Sequence, residues 1–335
     1  MHREKTRPWL SLLRLPNLLT VPGDPLAGAF LAAWSTSRTV MWPILLPVCG
    51  ASLALYAAGL LSNDYLDRAE DSRFRPERPI PAGLVQPSTV LAAAILLTLG
   101  GLAAGVAAGP AAAFVLALLT ACIWSYNAGV KRNTVAGPAL MGLCRGLSLL
   151  AGAASQAPTI LFLAAGGGKV SSTQPFPPYS VFDLTNHSTL LPWGAMAGLT
   201  CVVASITLIS RKETTSLAPV GARIIFPPIA VFLTVVPPLL WAWSRVPHAV
   251  YPMGAGLGYL TAGMAVVWSA IWCGSISGKP PAFMIQKSIG AQIRGLILIQ
   301  AALCAVAGLE GRIAALALLF AFWLATWAGK WFSGS

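Results

Sequence analysis

With 335 residues, 56% of them apolar, only 10% charged, and a mean hydropathy of +0.72, the chain has too few charges to coat a soluble body of its size. The formal net charge of +12 does not mark a nucleic-acid binder, because the basic residues are scattered between apolar runs long enough to cross a bilayer. What remains is an all-α polytopic membrane protein, a bundle of about nine to ten transmembrane helices whose first partner is the lipid bilayer.

Residues 1–16 are basic and proline-punctuated, with Arg3, Lys5, Arg7 and Arg14 beside Trp9 and several leucines, and read as an interfacial segment. The apolar periodicity predicts helix 1 over about 17–36 and helix 2 over about 40–62, the second running into an acidic stretch and a basic loop. Helices 3 and 4, about 88–108 and 110–129, meet at Gly109-Pro110. Helix 5, about 135–155, carries Arg145, and a glycine- and proline-rich loop extends to about 188. Helix 6, about 189–210, stops at Ser210-Arg211-Lys212-Glu213; helices 7 to 10 follow over about 222–244, 251–274, 288–308 and 313–331. The organisation expected is an N-terminal segment 1–16, a body 17–310 and an additional C-terminal helix in 311–335.

Six cysteines lie within or beside apolar runs without ligand spacing, and the three histidines lie at a terminus or in loops, so an intramembrane histidine metal set is excluded. The first apolar run, interrupted by Pro22-Gly23-Asp24-Pro25, lacks the layout of a cleaved signal peptide. With ten spans and a cytoplasmic N-terminus, fifteen lysines and arginines fall on the cytoplasmic side and four (Arg38, Lys169, Arg245, Arg312) on the other. That bias predicts a multi-pass protein of the cell membrane (the inner membrane in a bacterium) with its charged motifs facing the cytoplasm. Nothing in the pattern marks a protein partner.

The acidic stretch is Asn63-Asp64-Tyr65-Leu66-Asp67-Arg68-Ala69-Glu70-Asp71, and five of the chain's ten carboxylates lie between Asp64 and Glu77. If it continues helix 2 at about 100° per residue, Asn63, Asp64, Asp67, Glu70 and Asp71 share an arc of about 120°. So many like charges on one face repel unless a cation compensates them, and all-oxygen ligands of this kind suit Mg²⁺. Arg73, Arg75 and Arg78, directly after, suit phosphate oxygens. The plain alternative is a solvated loop whose acids pair with its own arginines.

These residues carry a resemblance. Asn63 to Asp71 matches NDxxDxxxD, the first aspartate-rich motif of the UbiA superfamily of intramembrane prenyltransferases. Arg78-Pro79-Ile80-Pro81-Ala82-Gly83 is similar to the RPxPSG-type run that follows it, Tyr126 to Arg132 resembles the YSxxLKR element after helix 4, and Arg14 to Asn17 resembles the start of helix 1. Cys144-Arg145-Gly146 and the extra span are most similar to the branch called Ebo-type. The resemblance implies a helical bundle around a central cavity open to the cytoplasmic side, where Mg²⁺ bridges aspartates and an isoprenoid diphosphate. It implies Asn63, Asp64, Asp67 and Asp71 as metal ligands, with the three aspartates and Glu213 carrying catalysis. Asn17, Arg78, Tyr126, Lys131, Arg132, Arg145, Arg211 and Lys212 are then expected to contact substrate. Tyr126 is equally readable as a core or interfacial tyrosine, and Arg145 as a cavity residue or a helix-to-helix hydrogen bonder.

One element departs from the pattern. Family members carry aspartates at four-residue spacing after helix 6, whereas Ser210-Arg211-Lys212-Glu213 offers one carboxylate. The expected function is Mg²⁺-dependent transfer of a prenyl chain from its diphosphate to an aromatic or other lipophilic acceptor. The alternative is a binding or transport protein that kept a lipid-diphosphate cavity without catalysis. A cation-coupled transporter is disfavoured, since the acids sit at helix ends on one face rather than at broken mid-membrane helices.

Overall fold

The computed structural model describes residues 2–156, 181–183, 187–211, 221–245, 252–278 and 280–331. Its elements are α1 (His2–Leu13), α2 (Leu15–Leu18), α3 (Gly23–Ser35), α4 (Trp42–Leu66), α5 (Arg68–Phe74), α6 (Pro87–Ala108), α7 (Pro110–Ala128), α8 (Ala136–Ser155), α9 (His187–Ser210), α10 (Phe226–Arg245), α11 (Pro252–Gly274), α12 (Ala282–Ala305) and α13 (Gly308–Trp331). Short 3₁₀ turns cover Val130–Arg132 and Gly221–Ile225. Among the described residues nine segments are long and apolar enough to cross a bilayer, which makes this an integral multi-pass membrane protein.

Punctuation follows the sequence closely where glycine and proline meet. Gly109, at φ 117°, ends α6 in a conformation that L side chains rarely adopt, and Pro110 opens α7 where a missing N–H costs nothing. Pro43 and Pro87 likewise sit in the first turns of α4 and α6. α12 starts earlier than its apolar pattern suggests, because Pro281 caps it and its first turns carry the polar Gln286 and Lys287.

The first span is a correction. In place of one helix over 17–36, the chain forms α2, a turn, and the 13-residue α3, about 20 Å long and short of a typical hydrocarbon core of about 30 Å. Pro22 and Pro25 withhold two backbone donors there, and Thr20 Oγ1 closes the turn on the Asn17 carbonyl at 2.7 Å. The segment before it is also more than interfacial: α1 buries Leu12 in a cluster with Leu61 of α4 and Val90 and Ala94 of α6, with Trp9 packed at its edge. The sequence-predicted loop at 156–188 lies largely outside the described residues.

Two large apolar clusters organise the bundle. One joins α3, α9, α10, α11, α12 and α13; the other joins α4, α7 and α8, and both draw on α3 and α8. Close approach of α3 to α8 depends on glycine: a Cβ at Gly28 would run into the Leu149 carbonyl, and one at Gly152 into the Pro25 carbonyl. Without those two glycines α3 would stand off from α8, and the residues that face each other across this seam at the inner end of the cavity would not meet.

Candidate active site

Between these helices lies a cavity of about 360 Å³. Each wall is one helical face: Ser52, Tyr56, Gly59 and Asn63 from α4, Met141, Cys144, Arg145 and Ser148 from α8, and Val203, Ile206, Thr207 and Ser210 from α9. Tyr126 and Asn127 come from α7, Ile289, Ile293 and Leu296 from α12, and Arg14, Asn17 and Asp24 from the first helices. The middle is apolar, and charge is gathered at two ends.

At one end stands the acidic stretch. Helical hydrogen bonding carries across the junction of α4 and α5, from Asp67 N to the Asn63 carbonyl (2.9 Å) and from Asp71 N to the Asp67 carbonyl (2.8 Å), so Asn63, Asp67 and Asp71 keep helical spacing through it. Each is met by a cation from a different connecting segment. Arg78 Nη1 lies 2.8 Å from Asp71 Oδ2 and 3.5 Å from Asp64 Oδ1, and Arg14 Nη2 lies 3.6 Å from Asp64 Oδ1. Lys131 Nζ sits 2.5 Å from Asp67 Oδ1 and donates to Asn63 Oδ1 at 3.0 Å. Arg14 reaches Asp64 from a left-handed backbone (φ 46°, ψ 57°), a conformation costly for a non-glycine residue. Asn127 holds the end of α7 against α4, donating to the Gly59 carbonyl (2.9 Å) and Ser62 Oγ (2.8 Å). Arg211 donates to the carbonyls of Lys131 and Asn133, both at 2.6 Å, and so pins the turn that presents Lys131.

The expected site residues are thus distributed unequally. Asn63, Asp64, Asp67, Asp71, Arg78 and Lys131 form one charged cluster, and Asn17, Tyr126 and Arg145 line the cavity it borders. Arg132 is exposed on the same turn as Lys131, because that turn aims only one of the two adjacent side chains toward Asn63 and Asp67. Glu70, projected onto the acidic arc, is likewise solvent-exposed. Lys212 and Glu213 lie outside the described residues.

Among the described residues no three acidic, histidine or cysteine side chains converge into a ready-made metal cage. The donor set instead fits the other mode in which Mg²⁺ binds, through one or two carboxylates with the remaining positions taken by water and substrate phosphate. Three carboxylates balanced by three cations, with Arg78 shared between Asp64 and Asp71, make a cluster in which partners can be exchanged, carboxylate toward a metal ion and cation toward phosphate oxygen.

At the other end, composition alone gave less warning. Asp24, fully buried in the first turn of α3, faces Arg145 of α8, with Nε 2.9 Å from Oδ2 and Nη2 3.3 Å from Oδ1. Gln300 of α12, also fully buried, donates to Asp24 Oδ1 at 2.6 Å. Both Arg145 Nη2 and Gln300 Nε2 donate to the Thr20 carbonyl, at 2.7 and 2.8 Å, one left open where the turn after α2 interrupts the helix. Arg145 is therefore at once a cavity residue and a helix-to-helix bonder. Asp24 and Gln300 are absent from the sequence-derived site, although a lone carboxylate inside an apolar run is itself a signal, because such a group needs a buried partner.

Comparison with known proteins agrees with this architecture. The model of the UbiA prenyltransferase family matches residues 25–273, and the chain belongs to that family. A digeranylgeranylglyceryl phosphate synthase from Halobacterium salinarum is 31% identical over 152 residues, 45% of this chain and 54% of that protein. The 33 kDa chain of bacteriochlorophyll synthase from Cereibacter sphaeroides is 35% identical over 127 residues, 34% of this chain and 39% of the relative. The match thus spans about half the length of the first of these relatives. In three dimensions the fold is shared with a UbiA homologue from Aeropyrum pernix K1 (TM-score 0.55, 15% identity, 84% of this chain and 96% of the other). A solved structure of a digeranylgeranylglyceryl phosphate synthase gives 0.53 at 14% identity, covering 92% and 99%. α12, which lies beyond the stretch matched by the family model, nevertheless closes one side of the cavity and supplies Gln300.

Proposed function

We propose that this protein is a Mg²⁺-dependent intramembrane prenyltransferase that moves an isoprenoid chain from a prenyl diphosphate to an aromatic or other lipophilic acceptor. The observation that carries this reading is the exchangeable cluster of Asp64, Asp67 and Asp71 with Arg14, Arg78 and Lys131 at one end of an apolar-walled cavity, in a chain of the UbiA family. Asn63, Asp64, Asp67 and Asp71 are the residues that would hold the metal, which when bound offsets the charge that grows on the departing diphosphate. Arg78, Lys131 and Arg14 release their carboxylates and take diphosphate oxygens as donors of charge-assisted hydrogen bonds. Heterolysis of the allylic C–O bond leaves pyrophosphate at this end and an allylic cation in the apolar middle of the cavity, where Tyr126, Tyr56 and the aliphatic walls exclude water and the tyrosine faces stabilise positive charge. The acceptor then forms a bond to that carbon and loses a proton.

Glu213 has a place in this reading as the first carboxylate in the sequence after α9. We expect Glu213→Gln to lower turnover by roughly ten- to a thousandfold with donor binding less affected, the range for loss of one electrostatic stabiliser of developing oxyanion charge. Incubation of the purified protein with a labelled prenyl diphosphate and Mg²⁺, followed by assay for released pyrophosphate, tests the function itself. Diphosphate binding without release for any acceptor would favour the second reading, a lipid-diphosphate-binding protein, which the absence of aspartates after Ser210 motivates.

The charge bias supports a cytoplasmic mouth in the cell membrane, with 17–310 as the transferase body and the last helix as an addition packed on α12. Cysteines introduced at the exposed Ser72 and Ser37 in a cysteine-free background should label from opposite sides, position 72 from the cytoplasm. Labelling of both from one side would overturn the topology.

A further inference from the structure

The inner end of the cavity holds two hydroxyls that the protein does not use. Ser52 Oγ of α4 and Ser148 Oγ of α8 are buried (2% and 4% exposed), both residues line the cavity, and neither hydroxyl has a hydrogen-bond partner among the described residues. A buried hydroxyl without a partner is costly, and two lining one cavity are a standing demand for polar ligand atoms. Ser148 lies about one helical turn beyond Arg145 on α8, and the Arg145 guanidinium carbon lies 5.9 Å from the ring of Tyr56, one helical turn from Ser52 on the same face of α4.

The charge at this end is already balanced. Asp24 meets Arg145, and the remaining bonds of the pair run to Gln300 and the Thr20 carbonyl. An anion placed here would leave water to meet a buried carboxylate that already neutralises the nearby arginine, with no counter-charge to repay its desolvation. A neutral oxygen is different, since a serine hydroxyl can donate to a carbonyl or both donate to and accept from a hydroxyl.

Depth gives the ligand its orientation. Along α4, Tyr56 lies about 10 Å and Ser52 about 16 Å below Asn63, at 1.5 Å per residue. A diphosphate held at Asn63 and Asp67 puts its allylic carbon just inside the mouth, so a flat acceptor between Gly59 and Tyr56 has one edge at that carbon and the other at the serines. Resting on the transferase reading above, we infer that Ser52, Ser148 and Arg145 form the acceptor's polar subsite, which selects an uncharged lipophilic acceptor bearing a hydroxyl or carbonyl oxygen at the end remote from the bond being formed. Asp24 is the positioning residue, holding Arg145 in place and excluding acceptors that carry a carboxylate or phosphate at that end.

The test uses the full-length protein in detergent with three probes on one scaffold: 2-naphthol, methyl 6-hydroxy-2-naphthoate and 6-hydroxy-2-naphthoate, the last two differing by one negative charge. Binding is measured by equilibrium dialysis, with and without geranyl diphosphate and Mg²⁺. The ester is expected to bind at least about tenfold more tightly than the free acid. Ser52→Ala/Ser148→Ala should weaken naphthol and ester binding by about tenfold or more, given the usual net worth of two hydrogen bonds, while geranyl diphosphate affinity stays as in wild type. Acid binding equal to or tighter than ester binding overturns the proposal, as does unchanged naphthol and ester affinity in the double variant. Should the double variant not fold, the ester-to-acid ratio in wild type decides alone. Failure of the transferase reading shows elsewhere, as absent diphosphate binding or pyrophosphate release, and leaves the donor-free probe measurements interpretable.

Discussion

The two ends of the cavity use the same chemical parts and put them to opposite ends. At the mouth, Arg14, Arg78 and Lys131 come from connecting segments and keep 37%, 24% and 16% of their side chains exposed, so that water reaches these pairs from the cation side although Asp64 and Asp71 are buried. At the inner end, Arg145 and Asp24 come from two long-range neighbours packed helix on helix and are 8% and 0% exposed. A hydrated ion pair contributes little and exchanges partners readily, whereas a dry one is costly to break because the surviving charge stays buried. On the transferase reading proposed above, the mouth is thereby suited to take up and release an anion, and the inner end to stay fixed through a reaction cycle.

That contrast is most exposed to refutation at Asp24. Replacing it with Ala should cost about 3–5 kcal/mol by stranding Arg145, read as chemical or thermal unfolding of the purified protein, and Asp24→Leu combined with Arg145→Met should recover a large part of the loss. A loss no larger than that of a surface pair would place both ends in one class. Next in size come Asp67→Asn and Asp71→Asn. Each should weaken Mg²⁺-dependent diphosphate binding by about a hundredfold, consistent with one electrostatic contact, while stability moves by less than about 1 kcal/mol for Asp67, whose side chain is 21% exposed, and by more for the buried Asp71. Unchanged binding in both would assign the acids to ordinary solvated ion pairs. The smallest effect is expected for Arg14→Ala, whose 3.6 Å contact with Asp64 is half-open to water: stability should change by less than about 0.5 kcal/mol and lose what dependence it has in high salt. A large effect there would mean that the left-handed backbone at Arg14 is held in place by its charge.

Amphipathic length and local motif made most of the architecture legible. Long apolar runs separated by glycine and proline can only be satisfied as helices in lipid, so α4, α6, α7, α8 and α9 were readable within a few residues. The acidic face was readable for a related reason: residues three and four apart on a helix are neighbours whatever the rest of the chain does. Reading failed where one helix alone did not decide the outcome. The predicted first span broke into α2 and α3 because the prolines near Asp24 and the buried partners of Thr20 and Asp24 outweigh the apolar pattern.

By itself, then, the order of residues determined the membrane class, the helix count to within one, the family motif and the cluster of acids, since each depends on contacts within a turn or two. Which cation meets which acid, that Arg211 braces the Lys131 turn instead of standing free beside it, and that Asp24, Arg145 and Gln300 converge were decided only by tertiary packing. Gln300 and Asp24 are 276 positions apart in the chain. No local periodicity carries information over that distance; the close approach of α3 to α8 at Gly28 and Gly152, and the seating of α12 against α3, bring those side chains together.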